Sequence, residues 1–471
     1  MGEPTESRST AGESMSDYGP VPPAGSSTAG KSTVSKSTVS KSTVSKSTVS
    51  KSTVSKSTVS KSTEGEQAGI SALSGAPGES GSALMNTYFP PRITFVEGEG
   101  TYLLDSEGKR YIDFFSGIAV TSLGHSHPVV TEAISCQASK LMHVSNIFGN
   151  GLRDDLAAEI NKLVCAGRSG SAGQVFLCNS GAEANECAIK LSRKWGNPAR
   201  FRIISTQGSF HGRTLATWAA TGKSAGSLSF APLPGGFDFI PYNDIPALEH
   251  ALASPDVAAF LVEPIQGENG IVVPDDGYLH AAREICDRYG VLLIADEVQT
   301  GIAKTGEWFA FQHDGILPDI VTVAKALGNG MPVGACWASR EVASSFVPGD
   351  HGSTFGGQPL ACAAALATLD VMQDIDAPAR AIAIGRAVNA MLEDADGVSS
   401  VRGRGALLGI VLERDCAKQV AETALDWGLV VNSPRGDVLR IAPPLTINEL
   451  DLQQGLEILA GTISRVAGHE A

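Results

Sequence analysis

Five short runs of Val, Ile, Leu and Ala recur between residues 174 and 324, and stretches with helical periodicity separate them. The runs are Gln174–Cys178, Phe201–Ile204, Ala258–Val262, Val291–Ala295 and Ile320–Ala324. Continuous apolar runs of this length are typical of strands that are buried on both faces of a parallel sheet. The pattern therefore predicts an α/β fold in which helices cover both faces of a mainly parallel central sheet.

Two of the intervening stretches repeat apolar residues at three- and four-residue steps, which places them on one face of a helix. The first such face consists of Ala184, Cys187, Ala188, Leu191 and Trp195, and the second of Leu279, Ala282, Cys286 and Tyr289. The chain after about Gln358 mixes Ala-rich helical patterns with two more strand candidates, Leu407–Leu412 and Val438–Ile441. This part predicts a smaller second domain.

The first 83 residues differ in composition from the rest of the chain. Residues 31–60 are six tandem copies of Lys-Ser-Thr-Val-Ser, with Pro-, Gly- and Ser-rich sequence on both sides. One Val in five residues offers too little apolar surface to offset the entropy of ordering, so we expect a disordered low-complexity tail. A transit peptide is the alternative, which the acidic residues near the start disfavour. The P-loop pattern at Gly25–Ser32 lacks a flanking strand and helix and is attributed to chance.

Charge and cysteine usage exclude several classes of protein. The formal net charge is -14, and the acidic excess lies after residue 83. Such a surface argues against binding to nucleic acid or to an anionic membrane. The sequence has no apolar stretch long enough to span a bilayer. Its eight Cys residues form no CxxC pair and lie mostly in apolar contexts, which predicts buried thiols in a reducing cytoplasm.

Polar residues follow each of the five predicted strands. Because parallel α/β sheets bind ligands beyond the carboxyl ends of their strands, these residues are expected to meet at one edge. Each has an ordinary structural explanation on its own, and their coincidence favours a site. The segments are Asn179–Glu183, Ser205–Thr214, Glu263–Glu268, Asp296–Gly301 and Lys325–Gly330.

The residue types in these segments match the needs of one cofactor, pyridoxal 5′-phosphate (PLP). PLP requires an amine for a Schiff base, a carboxylate facing the pyridine nitrogen, an anion site and a ring for stacking. Lys325 supplies the amine and Asp296 the carboxylate. Small residues at a helix N-terminus suit a phosphate, and Ser180, Gly181 and Ala182 occupy such a position.

At these residues the sequence resembles the class III (ω-amino acid) aminotransferases of PLP fold type I, over nearly all of residues 84–471. That fold has a large domain and a smaller α/β C-terminal domain. The low-complexity tail at 1–83 has no counterpart in this family. The resemblance implies an N-terminal segment at 84–135 that contributes to the small domain, a large PLP-binding domain at 136–357 and a small domain at 358–471. It rests on Asn179–Glu186, Gly208–Thr214, Val262–Glu268, Asp296–Gly301, Ala324–Gly328, His351–Gly357 and Leu439–Pro444.

The resemblance also implies a role for individual residues. Lys325 is the Schiff-base lysine and proton carrier, and Asp296 faces the pyridine nitrogen. Thr354 is expected to reach the phosphate in the neighbouring subunit of a homodimer. No metal is implied. The remaining cofactor residues are Ser180, Gly181, Ala182, Phe210, Glu263 and Gln299, and the substrate residues are Arg213, Ser353, Glu268 and Arg440. Two arginines suit the bidentate recognition of carboxylates on two substrates.

The choice of amino donor is indicated by the identity of one residue, His211. His211 before Gly212 resembles family members that act on N2-acetyl-L-ornithine in arginine biosynthesis, with 2-oxoglutarate as acceptor and L-glutamate as product; ornithine-specific members usually carry Trp there. Succinylornithine, succinyldiaminopimelate and ornithine remain alternative donors. The chain departs from the family where Ala303-Lys304 replaces the usual Gly-Arg and where Gln358 replaces Asn. We expect these departures to leave the activity intact.

Two hypotheses from other classes remain. Gly222–Gly226 fits the nucleophile-elbow pattern of a hydrolase, although no buried strand precedes it. A PLP-fold protein that has become a noncatalytic binding module is the second, and the presence of both Lys325 and Asp296 counts against it.

Overall fold

The structure, a computed structural model, describes residues 83–166, 168, 172–222 and 227–467. The predicted disorder of the repetitive tail and its targeting alternative therefore fall outside the described residues. The described residues from Tyr88 onward form one compact unit. Among the described residues, no helix has both the length and the apolar character needed to cross a membrane.

A seven-stranded sheet lies at the centre of the fold. Its strands are β4 (Gly173–Cys178), β5 (Arg202–Thr206), β6 (Phe237–Ile240), β7 (Val257–Val262), β8 (Leu292–Asp296), β9 (Ile320–Val323) and β10 (Gly334–Ser339). Their order in the sheet is β4-β10-β9-β8-β7-β5-β6. Neighbours among β5 to β9 pair in parallel, whereas β10 runs antiparallel to both β4 and β9. The mainly parallel sheet is thus confirmed, including all five predicted strands. Every residue of β7, β8 and β9 is buried.

Helices flank the sheet as the apolar periodicity predicts. Four of the five residues on the first predicted helix face are buried, and Trp195 is partly buried. The helix that carries them begins at Ser180, whose Oγ accepts a hydrogen bond from the Glu183 N–H at 3.2 Å, as an N-cap does. Gly290 ends the second predicted helix with a φ of 59°, which a glycine adopts without strain. The helices are α2 (Pro128–Ala138), α3 (Gly151–Cys165), α4 (Gly181–Gly196), α5 (Leu215–Ala220), α6 (Ile245–Leu252), α7 (Tyr278–Tyr289), α8 (Arg340–Ala343) and α9 (Pro359–Asp374).

Two smaller sheets complete the fold. One contains β1 (Phe95–Glu99), β2 (Tyr102–Asp105), β3 (Arg110–Asp113) and β13 (Leu429–Val430). The other contains β11 (Val398–Arg404), β12 (Leu407–Leu412), β15 (Val438–Ile441) and β14 (Asn432–Arg435). The two strands predicted after Gln358 match β12 and β15. Three further helices are α10 (Ala377–Leu392), α11 (Ala417–Asp426) and α12 (Glu449–Ala467).

The first small sheet joins distant parts of the chain, because β13 pairs in parallel with β3. This pairing supports the assignment of residues 84–135 to the same domain as the C-terminal part. The boundaries at 135/136 and 357/358 stay predictions. A four-residue turn, α1 (Ser116–Ala119), follows β3 and has left-handed φ values throughout.

Candidate active site

A cavity of about 370 Å³ lies at the edge of the central sheet where the parallel strands end. All five predicted strand-end segments contribute to its lining. The predicted site residues in this lining are Ser180, Gly181, Ala182, Phe210, Arg213, Glu263, Glu268, Asp296, Gln299 and Lys325. Arg440, on β15, is hydrogen-bonded to this set. The structure thus brings together all of the predicted cofactor and substrate residues except Ser353 and Thr354.

Asp296, the last residue of β8, is buried and held by several donors. Its Oδ2 accepts a hydrogen bond from Asn185 Nδ2 at 2.7 Å and lies 2.8 Å from His211 Nδ1. Its Oδ1 accepts from the Val298 N–H at 3.1 Å. A buried carboxylate with this many partners has a fixed orientation and avoids the cost of an unpaired charge.

His211 and Asn185 are themselves anchored on the side away from Asp296. His211 Nε2 lies 3.1 Å from Ser205 Oγ, at the end of β5. Thr322 Oγ1, in β9, donates to Asn185 Oδ1 at 2.7 Å. The orientation of the carboxylate is therefore set by three neighbouring elements of the fold rather than by its own strand alone.

Lys325 faces the cavity from the start of a short 3-10 helix that follows β9. Its φ of 43° lies in the left-handed region, where a non-glycine residue is strained. Burial lowers the pKa of the Lys325 amine, and the carboxylate of Glu268 opposes this effect in part. A depressed pKa increases the fraction of neutral amine, which is the nucleophilic and proton-accepting form.

The N-terminus of α4 forms one side of the cavity through Gly181 and Ala182. A Cβ added to Gly181 would lie 2.7 Å from Val298 Cγ1, so the backbone approaches its neighbour more closely than a side chain permits. The N–H groups and the dipole at such a terminus favour an anion. The carboxylate in the first turn, Glu183, is bonded to the backbone and side-chain N–H groups of Asn179 at 2.9 Å.

Phe210 and Glu263 are linked through the backbone. The Phe210 N–H donates to Glu263 Oε1 at 2.8 Å, and the Gly267 N–H donates to the other carboxylate oxygen at 3.2 Å. Burial raises the pKa of Glu263 to about 7. The exposed Arg213 guanidinium lies 5.6 Å from the centre of the Phe210 ring, within reach of a cation–π interaction.

Arg440 and Glu268 form an ion pair beside the cavity, with an Nη1–Oε1 distance of 2.5 Å. Arg440 is buried, and it also donates to Gln299 Oε1 at 3.2 Å and to Asn432 Oδ1 at 2.7 Å. Burial alone would raise the pKa of Glu268, but the Arg440 guanidinium outweighs this and lowers it. The predicted pairing of these two residues is therefore present in the structure.

Thr354 and Ser353 lie outside the cavity lining. Thr354 is exposed, while Ser353 Oγ accepts a hydrogen bond from Asn179 Nδ2 at 3.3 Å. The segment is fixed from another side, since Asn146 Nδ2 donates to the carbonyls of Ser353 and Gly356. An exposed position is compatible with the expectation that Thr354 acts in a neighbouring subunit, which stays a prediction.

Three polar residues of the site, Asn185, Thr322 and Asn432, were not predicted from the sequence, and His211 was predicted only as a mark of substrate class. Thr322 carried a usable signal, because it is a lone polar residue within an apolar run. Asn185 follows Ala184 directly and is buried on α4. Across the described part of the chain, no group of three or more His, Cys, Asp or Glu residues is arranged to hold a metal ion.

Comparisons with known proteins agree with this geometry. The family profile "Aminotransferase class-III" matches residues 85–463. Proteins named acetylornithine aminotransferase from Corynebacterium efficiens and Streptomyces coelicolor are 44% and 46% identical to the chain, over 81% and 82% of its length and 95% and 94% of theirs.

Solved structures show the same fold. The ornithine aminotransferase from Toxoplasma gondii superimposes with a TM-score of 0.77 at 34% identity, covering 82% of this chain and 92% of that one. The acetylornithine aminotransferase from Elizabethkingia anophelis gives a TM-score of 0.71 at 38% identity, covering 81% and 96%. In the Toxoplasma protein, PLP partially occupies the active site.

Proposed function

The chain belongs to the class-III aminotransferase family, and we propose that it transfers the terminal amino group of N2-acetyl-L-ornithine to 2-oxoglutarate. The products are N-acetyl-L-glutamate 5-semialdehyde and L-glutamate, a step of arginine biosynthesis. The observation that carries the proposal is the meeting of Lys325 and Asp296 in one cavity, which is also lined by the N-terminus of α4 and bordered by a buried arginine. Relatives named for acetylornithine support the choice of donor.

The cofactor is PLP, and the residues present fit it. Asp296 would face the pyridine nitrogen, Phe210 the ring, Gln299 the phenolic oxygen, and the α4 N-terminus the phosphate. A Cβ at Gly181 would collide with Val298, so this position requires glycine, and the N–H groups of the helix terminus suit a phosphate. When bound, PLP supplies an electron sink for charge that develops on the substrate carbon.

The protein residues then hold charges and move protons. Lys325 Nζ would take the proton from the substrate carbon that bears the transferred amine, as base, and would then donate it to the carbon on the cofactor side of the same nitrogen, as acid. Its lowered pKa suits this double role. Asp296, fixed by Asn185 and His211, would keep the pyridine nitrogen of the bound cofactor protonated.

Two arginines would bind the carboxylates of the substrates. Arg213, exposed at the cavity, would bind the carboxylate of the donor. Arg440 would bind the carboxylate of 2-oxoglutarate. When the donor occupies the site, Glu268 neutralises Arg440, and the ion pair in the structure corresponds to that arrangement. Exchange of one carboxylate partner for another allows two unlike substrates to share the cavity.

We further propose that the protein is a homodimer in which Thr354 completes the partner's phosphate site. Large apolar side chains near Thr354 are exposed in the single chain. Phe355, the next residue, is 56% exposed. Ile147 and Phe148, which follow the Asn146 that bonds to the Ser353 carbonyl, are 86% and 63% exposed. Clustered exposed apolar side chains are typical of an interface. Analytical ultracentrifugation of the wild type and of Phe148→Asp tests the proposal, since a monomeric wild type would contradict it.

A cytoplasmic location remains a prediction. All eight cysteines are free thiols, which supports a reducing compartment. Of the hydrolase pattern, residues 223–226 lie outside the described residues, and the residues before it form the helix α5 rather than a strand.

The test is turnover of acetylornithine, succinyldiaminopimelate, ornithine and 4-aminobutyrate, each with 2-oxoglutarate. We expect acetylornithine to give the highest kcat/KM. Lys325→Ala should lower turnover by about 10³-fold or more, because both a nucleophile and a general base are lost. The matched control is Lys162→Ala, which removes the amine of a side chain that is 62% exposed on α3.

The outcomes separate the alternatives. Preference for ornithine or 4-aminobutyrate would overturn the donor while leaving the aminotransferase chemistry. A protein that binds PLP without any turnover would be the noncatalytic module. Undiminished turnover by Lys325→Ala would contradict the whole assignment.

A further inference from the structure

One wall of the cavity is built from a strained segment of the chain. We call residues 115–124 the wall segment; its Val120 lines the cavity. Ser116, Ile118 and Ala119 have φ values of 50°, 69° and 59°, in the left-handed region. Such a conformation is unfavourable for residues other than glycine. It therefore persists only because other groups hold it.

The first restraint is Asp113, at the end of β3. Its Oδ1 accepts hydrogen bonds from the N–H groups of Phe115 and Ser116, both at 2.9 Å. Its Oδ2 lies 2.8 Å from His125 Nε2. Asp113 thus fixes the beginning of the wall segment. The same carboxylate also contacts His125, the first residue after the end of the segment.

The second restraint comes from the turn that begins at Lys325. Asn329 caps the short 3-10 helix that begins at Lys325, and its φ is 45°. Its Oδ1 accepts a hydrogen bond from the Leu123 N–H at 2.8 Å, and its Nδ2 donates to the Gly124 carbonyl at 3.0 Å. One amide side chain therefore makes two hydrogen bonds to the backbone of the wall segment, four residues from the reactive amine.

Asn329 bonds to one segment that lines the cavity and directly precedes another. The residues that follow it, Gly330 to Val333, line the cavity, as does Val120. Other bonds of the wall segment lead to the C-terminal part of the chain: the Ser122 carbonyl accepts from the Leu445 N–H, and the Leu123 carbonyl from Thr446 Oγ1. The amide of Asn329 is a direct link between the wall segment and the turn of Lys325.

We propose that Asn329 is a positioning residue for the 3-10 turn Lys325–Gly328, here called the Lys325 turn. It holds this turn in register with the wall segment, that is, in a fixed position relative to it. The inference rests on the proposed function, because it assigns the register a role in proton transfer by Lys325. Misplacement of a reacting group by a small distance lowers the rate of the chemical step more than it weakens substrate binding. The two hydrogen bonds from the Asn329 side chain to Leu123 and Gly124 are here called the clamp. Loss of the clamp should therefore reduce kcat while KM changes little.

The experiment compares Asn329→Gly with Asn243→Gly. Glycine tolerates the left-handed backbone at both positions, since Asn243 has a φ of 64°. Asn243 is not among the residues that line the cavity, and its Oδ1 accepts a hydrogen bond from the Asp275 N–H at 3.1 Å. Asn329→Gly should lower kcat for acetylornithine by about tenfold, with KM within about twofold of the wild type. Asn243→Gly should leave both constants unchanged.

Hydrogen–deuterium exchange of the purified holoenzyme provides a readout independent of turnover. Exchange of the Leu123 amide should accelerate in Asn329→Gly and remain at the wild-type rate in Asn243→Gly. Asn329→Asp, which keeps the acceptor for Leu123, should give an intermediate kcat.

Two results would overturn the proposal. One is an unchanged exchange rate at Leu123 in Asn329→Gly, which would show that the clamp restrains nothing. The other is a kcat that stays close to the wild-type value although exchange accelerates, which would show that the register does not serve the chemical step. If the wild type itself fails to transaminate, the proposed function fails, and the exchange measurement still decides whether the clamp exists.

Discussion

Replacing Lys304 with Met tests whether a buried amine makes the stability of this fold depend on pH. Lys304 is fully buried, and its Nζ donates a hydrogen bond to the Pro443 carbonyl at 3.2 Å. Burial lowers the pKa of this amine from 10.5 to about 7, with partial opposition from Asp113. Met has a similar length and carries no charge, so the substitution removes the titrating group with little change in volume.

The sign follows from proton binding. Between pH 7 and pH 10.5 the unfolded chain binds a proton at Lys304, whereas the folded protein has released it. Folding stability therefore rises with pH across this window, by up to about 1.4 kcal/mol per pH unit. The full difference amounts to about 5 kcal/mol; this penalty is complete below pH 7 and disappears above pH 10.5.

The assay is urea unfolding of the wild type, Lys304→Met and Lys162→Met at several values between about pH 7.5 and pH 9.5, within the window that the linkage defines. The free energy of unfolding of the wild type should rise relative to Lys304→Met by about 2–3 kcal/mol over this range. Lys162 is 62% exposed, so Lys162→Met should follow the wild type in parallel. Parallel profiles for the wild type and Lys304→Met would show that the amine is not desolvated in the folded protein, and the reasoning would be refuted.

Three further predictions concern the cavity. Asn185→Leu removes the 2.7 Å hydrogen bond to Asp296, so the affinity for PLP, measured by absorbance titration, should fall by about tenfold or more; an unchanged affinity would contradict the role of this network. Glu268→Gln leaves the buried Arg440 without its countercharge, so kcat/KM for acetylornithine should fall by about tenfold while KM for 2-oxoglutarate does not rise; equal losses for both substrates would count against the exchange of partners. Gly181→Ala puts a Cβ 2.7 Å from a valine methyl group, and the resulting overpacking should cost about 1–3 kcal/mol in thermal unfolding of the holoenzyme, whereas no change would show that the helix terminus can shift freely.

The sequence predicts the central sheet well because burial on both faces leaves a continuous apolar run in each strand. Every residue of β7, β8 and β9 is buried, and the apolar runs predict all three strands. The convergence of Asp296 and Lys325 also follows, since the carboxyl ends of neighbouring parallel strands meet at one edge. The antiparallel strand β10, Gly334–Ser339, has little aliphatic content and was not predicted.

The parts of the site that were not predicted depend on contacts across long stretches of chain. Asn329 bonds to Leu123 over a separation of 206 residues, and no local pattern in either segment indicates that pairing. The pairing of β13 with β3 is of the same kind. Periodicity reports which face of an element is buried, but it carries no information on which distant backbone group a polar side chain will meet.

Local conformational preferences also fail to predict the backbone of the wall segment and of the Lys325 turn. Ile118 is β-branched and has a φ of 69°, and Lys325 has a φ of 43°, both against the intrinsic preference of their residue types. Each lies near a side chain that bonds to the backbone, Asp113 in one case and Asn329 in the other. Strain that persists must be balanced by such bonds, so strained residues and their restraints mark the part of the cavity whose geometry is most closely specified. On this reasoning, the wall segment and the Lys325 turn form one positioning unit, and a substitution that frees either should affect the chemical step before it affects the stability of the sheet.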